Sequence, residues 1–191
     1  MTKRRVAAFA VVVSFLGTLA SAAAEPSLAD REKALLATPD SATAAADLGS
    51  AYRAEEAAER GVAFFEQFHQ KNRPNPMSLV WQGSLKALSS STGNDMEARL
   101  TRLESGIADM DKAVQLYPED PKVKVVRGVT VSYFPSFLGM HNKAIRDLEE
   151  ALANPTVTGG VRTVARDGLA RAYRQAGRTA DAKAIESAKA R

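Results

Sequence analysis

The chain has 191 residues, of which 26 are basic and 22 acidic, and it contains no cysteine. Its apolar content of 45% and charged content of 25% are those of an ordinary globular chain, not of a disordered or fibrous one. The lack of cysteine excludes disulfides, thiolate metal sites and a cysteine nucleophile, and two histidines leave little material for a histidine-rich metal centre.

The first 24 residues have the layout of a secretory signal peptide. The basic segment Lys3-Arg4-Arg5 precedes an apolar run from Val6 to Ala20, and small residues suited to signal peptidase follow at 20–24. A membrane anchor is the alternative, but the apolar run is shorter than the roughly 20 residues of a spanning helix. We therefore expect cleavage near residue 24 and no stable membrane anchor afterwards. The mature chain, 25–191, is then a single domain in the periplasm or outside the cell.

Removal of the signal changes the net charge of the protein. The formal charge of +4 falls to +1, because the segment carries three basic residues and no acidic one. A nucleic-acid-binding domain needs clustered Lys and Arg on its folded surface. The mature chain does not supply such a cluster, so we expect no nucleic-acid partner.

The rest of the chain predicts helices and no strand. The predicted helices span, in chain order, 25–37, 41–56, 57–71, 77–89, 95–117, 122–133, 142–153, 161–176 and 179–190. The clearest is 95–117, whose apolar residues recur at alternating spacings of four and three from Met96 to Tyr117, which places them on one face. Asn94 and Glu97 predict a capping box at its start. The fold class is therefore all-α.

From residue 41 onward the predicted helices form pairs. The second helices of three pairs align on one another at Gly61–Phe68, Gly106–Ala113 and Ala144–Ala151, each with a small residue and then a large apolar one four positions later. Small residues allow two helices to approach closely where they cross. Pairs at a regular period are typical of stacked helix-turn-helix repeats; a generic helical bundle is the alternative.

This pattern resembles the tetratricopeptide-repeat (TPR) family, whose unit is a helix-turn-helix of 34 residues. The segments Leu48–Tyr52 and Leu169–Tyr173 match the family's helix A, and Gly106–Pro118 matches its helix B with the closing proline. The resemblance covers most of 41–191 and implies a solenoid of about four degenerate units, in an exported bacterial member. The aligned B helices are 45 and then 38 residues apart, so insertions interrupt the repeat.

We find no catalytic motif in the sequence. It has no Gly-x-Ser-x-Gly elbow, no His-Glu-x-x-His pair and no phosphate-binding loop. We interpret His69 as a packing or helix-surface residue, His141 as a solvated loop residue and Trp81 as part of the core. The sequence predicts no enzymatic activity, no cofactor and no metal site.

The resemblance to TPR proteins also implies where a partner binds. Helices A line the concave groove of such arrays, and by the family's alignment Arg53, Lys122, Arg171 and Arg174 face it. The family's clamp for C-terminal carboxylates uses Lys and Asn, whereas the matching positions hold Ser50 and Arg171, so this clamp is not implied. The basic residues indicate a preference for anionic segments; exposed arginines with no partner are the alternative.

The stretch Tyr133–Met140 is apolar, although it contains Pro and Gly and falls at a turn between helices. Its candidate binding residues are Phe134 and Phe137, which either fold back as a lid over the repeat stack or form a patch that binds a partner. Monomers rarely leave large apolar patches exposed, so the lid is the favoured prediction.

The sequence thus predicts an exported helical-repeat protein that binds a protein or peptide of the cell envelope as a scaffold, without covalent chemistry. The alternative is a small-ligand carrier or transporter accessory, in which Phe64, Phe65 and Phe68 line an enclosed cavity of roughly 300 Å³ or more. An enzyme would need a polar constellation assembled across helices that the sequence does not reveal.

Overall fold

The computed structural model describes residues 25–187, and within that range the protein is all-α, as predicted. The signal peptide predicted for 1–24 lies outside the described residues. The helices are α1 Leu28–Ala37, α2 Ala42–Ala54, α3 Ala58–Lys71, α4 Pro76–Ser89, α5 Met96–Leu116, α6 Pro121–Val131, α7 His141–Ala153, α8 Gly159–Gln175 and α9 Thr179–Ser187. A 3-10 helix, Ser136–Leu138, lies between α6 and α7.

Side-chain caps explain where several helices begin. Asn75 starts α4 by accepting the backbone N–H of Ser78, whose hydroxyl accepts the N–H of Asn75 in return. The cap of α5 is Asp95, whose carboxylate accepts the backbone N–H groups two and three residues later. The prediction that Asn94 caps this helix is therefore wrong by one residue, because the carboxylate of Asp95 already binds the free N–H groups.

The helices stack in two layers of successive pairs. The A helices α2, α4, α6 and α8 contact one another in order, and the B helices α3, α5, α7 and α9 pack outside them. Helices α3, α5 and α7 each also contact the A helix of the following pair. This arrangement confirms the predicted stack of helix-turn-helix units, since the two helices of each unit pack on each other and each unit packs on the next one.

Helix α4 lies at the centre and is buried on nearly every side, in contact with α2, α3, α5 and α6. Its crossing with α5 depends on two glycines. A Cβ on Gly83 would lie 2.7 Å from the carbonyl oxygen of Gly106, and one on Gly106 would lie 2.6 Å from the backbone nitrogen of Ala87. The small residue at the start of the helix-B pattern therefore lets the two backbones touch.

Helix α1 packs on α2 in the way that α7 packs on α8. The phenol of Tyr52 on α2 donates to the carboxylate of Glu32 on α1 at 2.5 Å, and Arg60 donates to the same oxygen at 3.0 Å. At the other end, Tyr173 on α8 donates to Glu149 on α7 at 2.5 Å. Helix α1 therefore occupies the position of a B helix ahead of the first complete pair.

The long helix α5 is only partly covered. Met96 and Leu100 are 69% and 51% exposed, Leu103 is half-buried, and Met110 is fully buried. The sequence predicts that the apolar residues share one face of the helix, and that face is buried only beyond its first two turns. The reason is length: α5 has 21 residues and its partner α4 has 14, so α4 cannot cover all of it.

Candidate functional site

The four A helices line a groove with a volume of about 1000 Å³ that is open to solvent. Its lining draws on α2, α4, α6 and α8, and along α6 it extends from Pro121 to Tyr133 just beyond the helix end. A groove of this size lies at the upper end of the range of roughly 300–1,000 Å³ typical of ligand sites.

The groove has an apolar floor and an apolar wall. The floor consists of buried residues of α4 and α6: Met77, Trp81, Val125, Val126 and Val129. The wall includes Val161 and Val164 of α8, which are 39% and 47% exposed. Covering such side chains is favourable by about 25 cal/mol per Å² of apolar surface, so the groove can bind apolar groups of a partner.

The position of Trp81 in this floor is set by a glycine on the neighbouring helix. A Cβ on Gly49 of α2 would lie 2.2 Å from Cγ of Trp81 and 2.4 Å from its Cδ2. Only hydrogen on the α-carbon leaves room for the indole ring. The Leu-Gly pair of the helix-A pattern thus supports the floor of the groove directly.

The groove carries charges of both signs, but its cations and acids are engaged differently. Of the three acidic residues in its lining, Asp47 forms an ion pair with Arg31, and Asp120 caps α6 by accepting the backbone N–H of Lys122 at 2.9 Å. The third, Asp167, also has a partner. In the described part of the chain, the basic groups of Arg53, Lys122 and Arg171 have no ion-pair partner. The groove therefore offers unpaired positive charge beside its apolar floor.

Two of these cations converge on one aromatic ring. The guanidinium carbon of Arg171 lies 3.7 Å from the ring centroid of Tyr133, and that of Arg53 lies 5.0 Å from it. Both distances fall within the roughly 6 Å of a cation–π interaction. Arg171 also donates to the hydroxyl of Ser132 at 3.2 Å. We call Arg53, Tyr133 and Arg171 the arginine–tyrosine cluster.

A second depression, of about 810 Å³, adjoins the groove. Arg53 and Tyr133 line both, and its other residues come from the carboxyl ends of α2 and α4, the start of α3 and the loop at Ser91 and Thr92. The arginine–tyrosine cluster therefore lies where the two depressions meet.

Three of the four predicted groove cations line the groove: Arg53, Lys122 and Arg171. The expectation that Arg174 faces it is wrong. Arg174 is exposed and forms an ion pair with Glu186 of α9, which draws its guanidinium toward the B helix.

The two phenylalanines of the stretch Tyr133–Met140 differ in burial. Phe134 is 8% exposed and belongs to the core, so it folds back as the lid prediction requires. Phe137 is 83% exposed, and the lid prediction is wrong for it. Both Phe137 and Leu138 lie in the one-turn 3-10 helix, where adjacent side chains diverge; Leu138 packs against the core and Phe137 faces solvent. Neither phenylalanine lines the groove.

Sequence reasoning missed Tyr133 as a groove residue and missed the valine wall. A usable signal existed for the tyrosine. Lys122, Val126, Val129 and Tyr133 are spaced by four, three and four residues, which is the period of one helix face. A groove cation on that face indicates that Tyr133 shares the groove.

The phenylalanines that would line a closed ligand cavity belong to the core instead. Phe65 and Phe68 are 0% and 2% exposed, and Phe64 stacks on Phe68 with a centroid separation of 6.2 Å. These rings line neither of the two depressions. They fill space within the repeat stack, and the groove that does exist is open.

His69 is a packing residue, as predicted. Its Nδ1 lies 2.7 Å from the amide oxygen of Gln82, and its Nε2 lies 2.9 Å from the hydroxyl of Ser78. Burial lowers the pKa of His69 although the hydrogen bond to Gln82 opposes the shift. The neutral imidazole ties α3 to α4 and lies away from the groove.

Within residues 25–187, no group of three or more histidine or carboxylate side chains is placed to hold a metal ion. Over the same range, no helix is both long and apolar enough to cross a membrane.

Comparison with known proteins identifies the fold. No family model and no curated protein matches the chain. Among solved structures, it is similar to a thermophilic TPR protein of Thermus thermophilus, with a TM-score of 0.63 and 19% sequence identity. The match covers 84% of this chain and 78% of that one. The fold is therefore that of a TPR solenoid, as the sequence resemblance implied.

Proposed function

We propose that this protein is an exported TPR-like module that binds a segment of another protein in the groove of its A helices. The observation that carries the proposal is the groove itself: about 1000 Å³, open, with an apolar floor and three cations that form no ion pair within residues 25–187. Peptide grooves combine these features, since apolar contacts supply affinity and a few polar groups supply orientation.

Binding in this proposal needs no covalent step and no enzymatic activity. The groove lining consists mainly of alanine, valine and charged residues around Trp81, and among the described residues it includes no histidine. Its hydroxyl groups include that of Ser50, which donates to the backbone carbonyl of Asp47 at 2.9 Å and not to a base. A nucleophile with a matched base is not part of this set, so the module acts by recognition and serves as a scaffold.

The cell envelope is the proposed location of both the protein and its partner. This part rests on the sequence, in which 1–24 combine a basic start, an apolar run and small residues. Mass spectrometry of fractionated cells is the direct test. A mature form that begins near Glu25 in the periplasmic or secreted fraction is expected, and a cytoplasmic chain that retains Met1 would rule out export.

The groove is tested by a pair of charge insertions on exposed helix positions. Val164→Glu places a carboxylate on the groove wall, whereas Leu116→Glu places one at the end of α5, outside the groove; the two positions are 47% and 55% exposed. Because both are surface positions, both variants are expected to keep their melting temperature within about 2 °C.

Capture of envelope proteins by the mature chain, followed by quantitative mass spectrometry, supplies the binding measurement. Val164→Glu is expected to reduce capture of specific partners about tenfold, while Leu116→Glu leaves it unchanged. Equal capture by the wild type and by Val164→Glu would place the binding surface outside the groove.

A further inference from the structure

We propose that the arginine–tyrosine cluster binds the carboxylate of an acidic side chain within the partner segment. This inference rests on the proposed function, because it names the chemistry of the segment that the groove receives.

The cluster is assembled by the stack and not by local sequence. Arg53 comes from the last turn of α2, Arg171 from α8 and Tyr133 from the residues that follow α6. Their side chains meet at one end of the groove lining. A ligand at this point therefore contacts the first, third and fourth helix pairs together.

The pairing of other half-buried arginines shows what the cluster lacks. Arg127 donates to both oxygens of Asp147 at 2.7 and 2.6 Å, and Arg31 forms ion pairs with Glu25 and Asp47. The guanidinium groups of Arg53 and Arg171 share a ring instead, and neither forms an ion pair with a carboxylate of residues 25–187. Two like charges so placed favour an anion between or beside them.

The cluster also has donors to spare. A guanidinium group carries five N–H donors in a fixed plane, and the only hydrogen bond that Arg171 makes to another side chain in the described chain is the one to Ser132. Tyr133 is 51% exposed, and its ring and the hydroxyl of Ser132 both contact the guanidinium of Arg171, so that this group is positioned before a ligand binds. Such an oriented group suits a carboxylate, because the two can form parallel hydrogen bonds.

The distance between the valine wall and the arginine–tyrosine cluster predicts how far apart an apolar and an acidic residue lie in the partner segment. Val164 and Arg171 are seven residues apart on α8, which at a rise of 1.5 Å per residue is about 10 Å. An extended segment covers that distance in about three residues. The expected segment, if it lies extended along α8, therefore carries an acidic residue about three positions from an apolar one.

The test uses a phage library of random nine-residue peptides that are flanked by fixed sequence on both sides, so that no free carboxyl terminus is presented. Selection on the mature chain is expected to enrich Asp or Glu together with an apolar residue about three positions away. An enriched peptide is then synthesised with blocked ends. Replacing its acidic residue by the matching amide should weaken binding about tenfold, since a charge-assisted hydrogen bond is lost.

Two double variants test whether the preference for an acidic residue depends on the arginine–tyrosine cluster. Arg53→Gln with Arg171→Gln should abolish the preference for the acidic peptide over its amide form. The control, Arg146→Gln with Arg174→Gln, removes the same charge at two exposed positions outside the groove and should keep the preference. Thermal melts of both double variants establish that the comparison is made on folded protein.

Each other outcome is decisive. Enriched peptides without an acidic residue, or an acid preference that persists in the Arg53/Arg171 variant, would overturn this inference and leave the peptide groove standing. The same peptide is also synthesised with a free carboxyl terminus; if only that form bound, the site would take a terminal carboxylate and the inference would be wrong. A library that yields no enriched peptide on the wild type would count against the groove and the cluster alike.

Discussion

At the scale of single residues, glycines decide how closely the helices of this protein approach. Gly49 admits the indole of Trp81, Gly83 and Gly106 admit each other's helix, and Gly128 admits the side chain of Leu148. A glycine within a helix costs roughly 1 kcal/mol relative to alanine in propensity alone. At these positions the burial of apolar surface by close helix packing offsets the loss in helix propensity, because a looser crossing would bury less.

The substitution Gly49→Ala tests this balance. Its Cβ would lie 2.2 Å from the ring of Trp81, so α2 or the indole must move. We expect a net destabilisation of about 2 kcal/mol, because overpacking outweighs the gain in helix propensity. Chemical denaturation, with the fluorescence of the single tryptophan as the signal, measures the change.

Gly160→Ala is the matched control, since a Cβ there meets nothing within 4 Å. It should leave stability unchanged or raise it by up to about 1 kcal/mol. If Gly49→Ala were as stable as this control, the close contact between α2 and α4 would have no energetic weight.

At the scale of the elements, the sequence predicts the helices well and their surroundings less well. Period, caps and prolines are local signals, and they place the ends of the predicted helices within a few residues of the structure for most elements. What covers a helix face depends on the length of its partner. That is a tertiary property, so the exposure of Met96 could not be read from a perfect apolar stripe.

In the candidate site, too, some residue positions follow from local sequence patterns and others depend on tertiary contacts. The groove positions of Arg53, Lys122 and Arg171 follow from the repeat pattern, since each helix A presents the same face to the groove. The ion pair of Arg174 with Glu186 and the outward direction of Phe137 depend on side-chain contacts that no repeat pattern encodes.

Because positions along the apolar face of α5 differ in burial, the same substitution should destabilise the protein by different amounts along the helix. Met110→Asp buries a charge at a position with no exposed surface and should destabilise the protein by about 4 kcal/mol or more. Leu103→Asp, at a half-buried position, should cost roughly 1–2 kcal/mol. Met96→Asp, at a position that is 69% exposed, should fall within about 0.5 kcal/mol of the wild type.

Denaturant titrations of the three variants measure this order. A large loss with Met96→Asp would mean that another part of the protein, or a second molecule, covers the first turns of α5 in solution.

At the scale of the whole molecule, the array is bounded by two similar contacts. Tyr52 donates to Glu32 near the start, and Tyr173 donates to Glu149 near the end. Burial and the neighbouring carboxylate raise the pKa of both phenols, that of Tyr173 to about 12. Each phenol therefore remains a protonated donor at neutral pH, and each ties an A helix to the B helix before it.

These two contacts test how far a disturbance travels along the stack. In Glu32→Ala the phenol of Tyr52, a fully buried residue, loses its acceptor, which should cost about 1–3 kcal/mol. Because repeat units interact mainly with their neighbours, we expect hydrogen exchange to quicken in α1 and α2 and to stay unchanged in α8 and α9. Glu149→Ala should give the opposite pattern, with faster exchange in α7 and α8.

Tyr52→Phe serves as the control, since it removes the donor together with its need for an acceptor and should cost less than Glu32→Ala. If either glutamate variant speeds exchange at both ends, the stack opens as one cooperative unit. A ligand bound at the arginine–tyrosine cluster would then stabilise every helix pair and not only the pairs that it contacts.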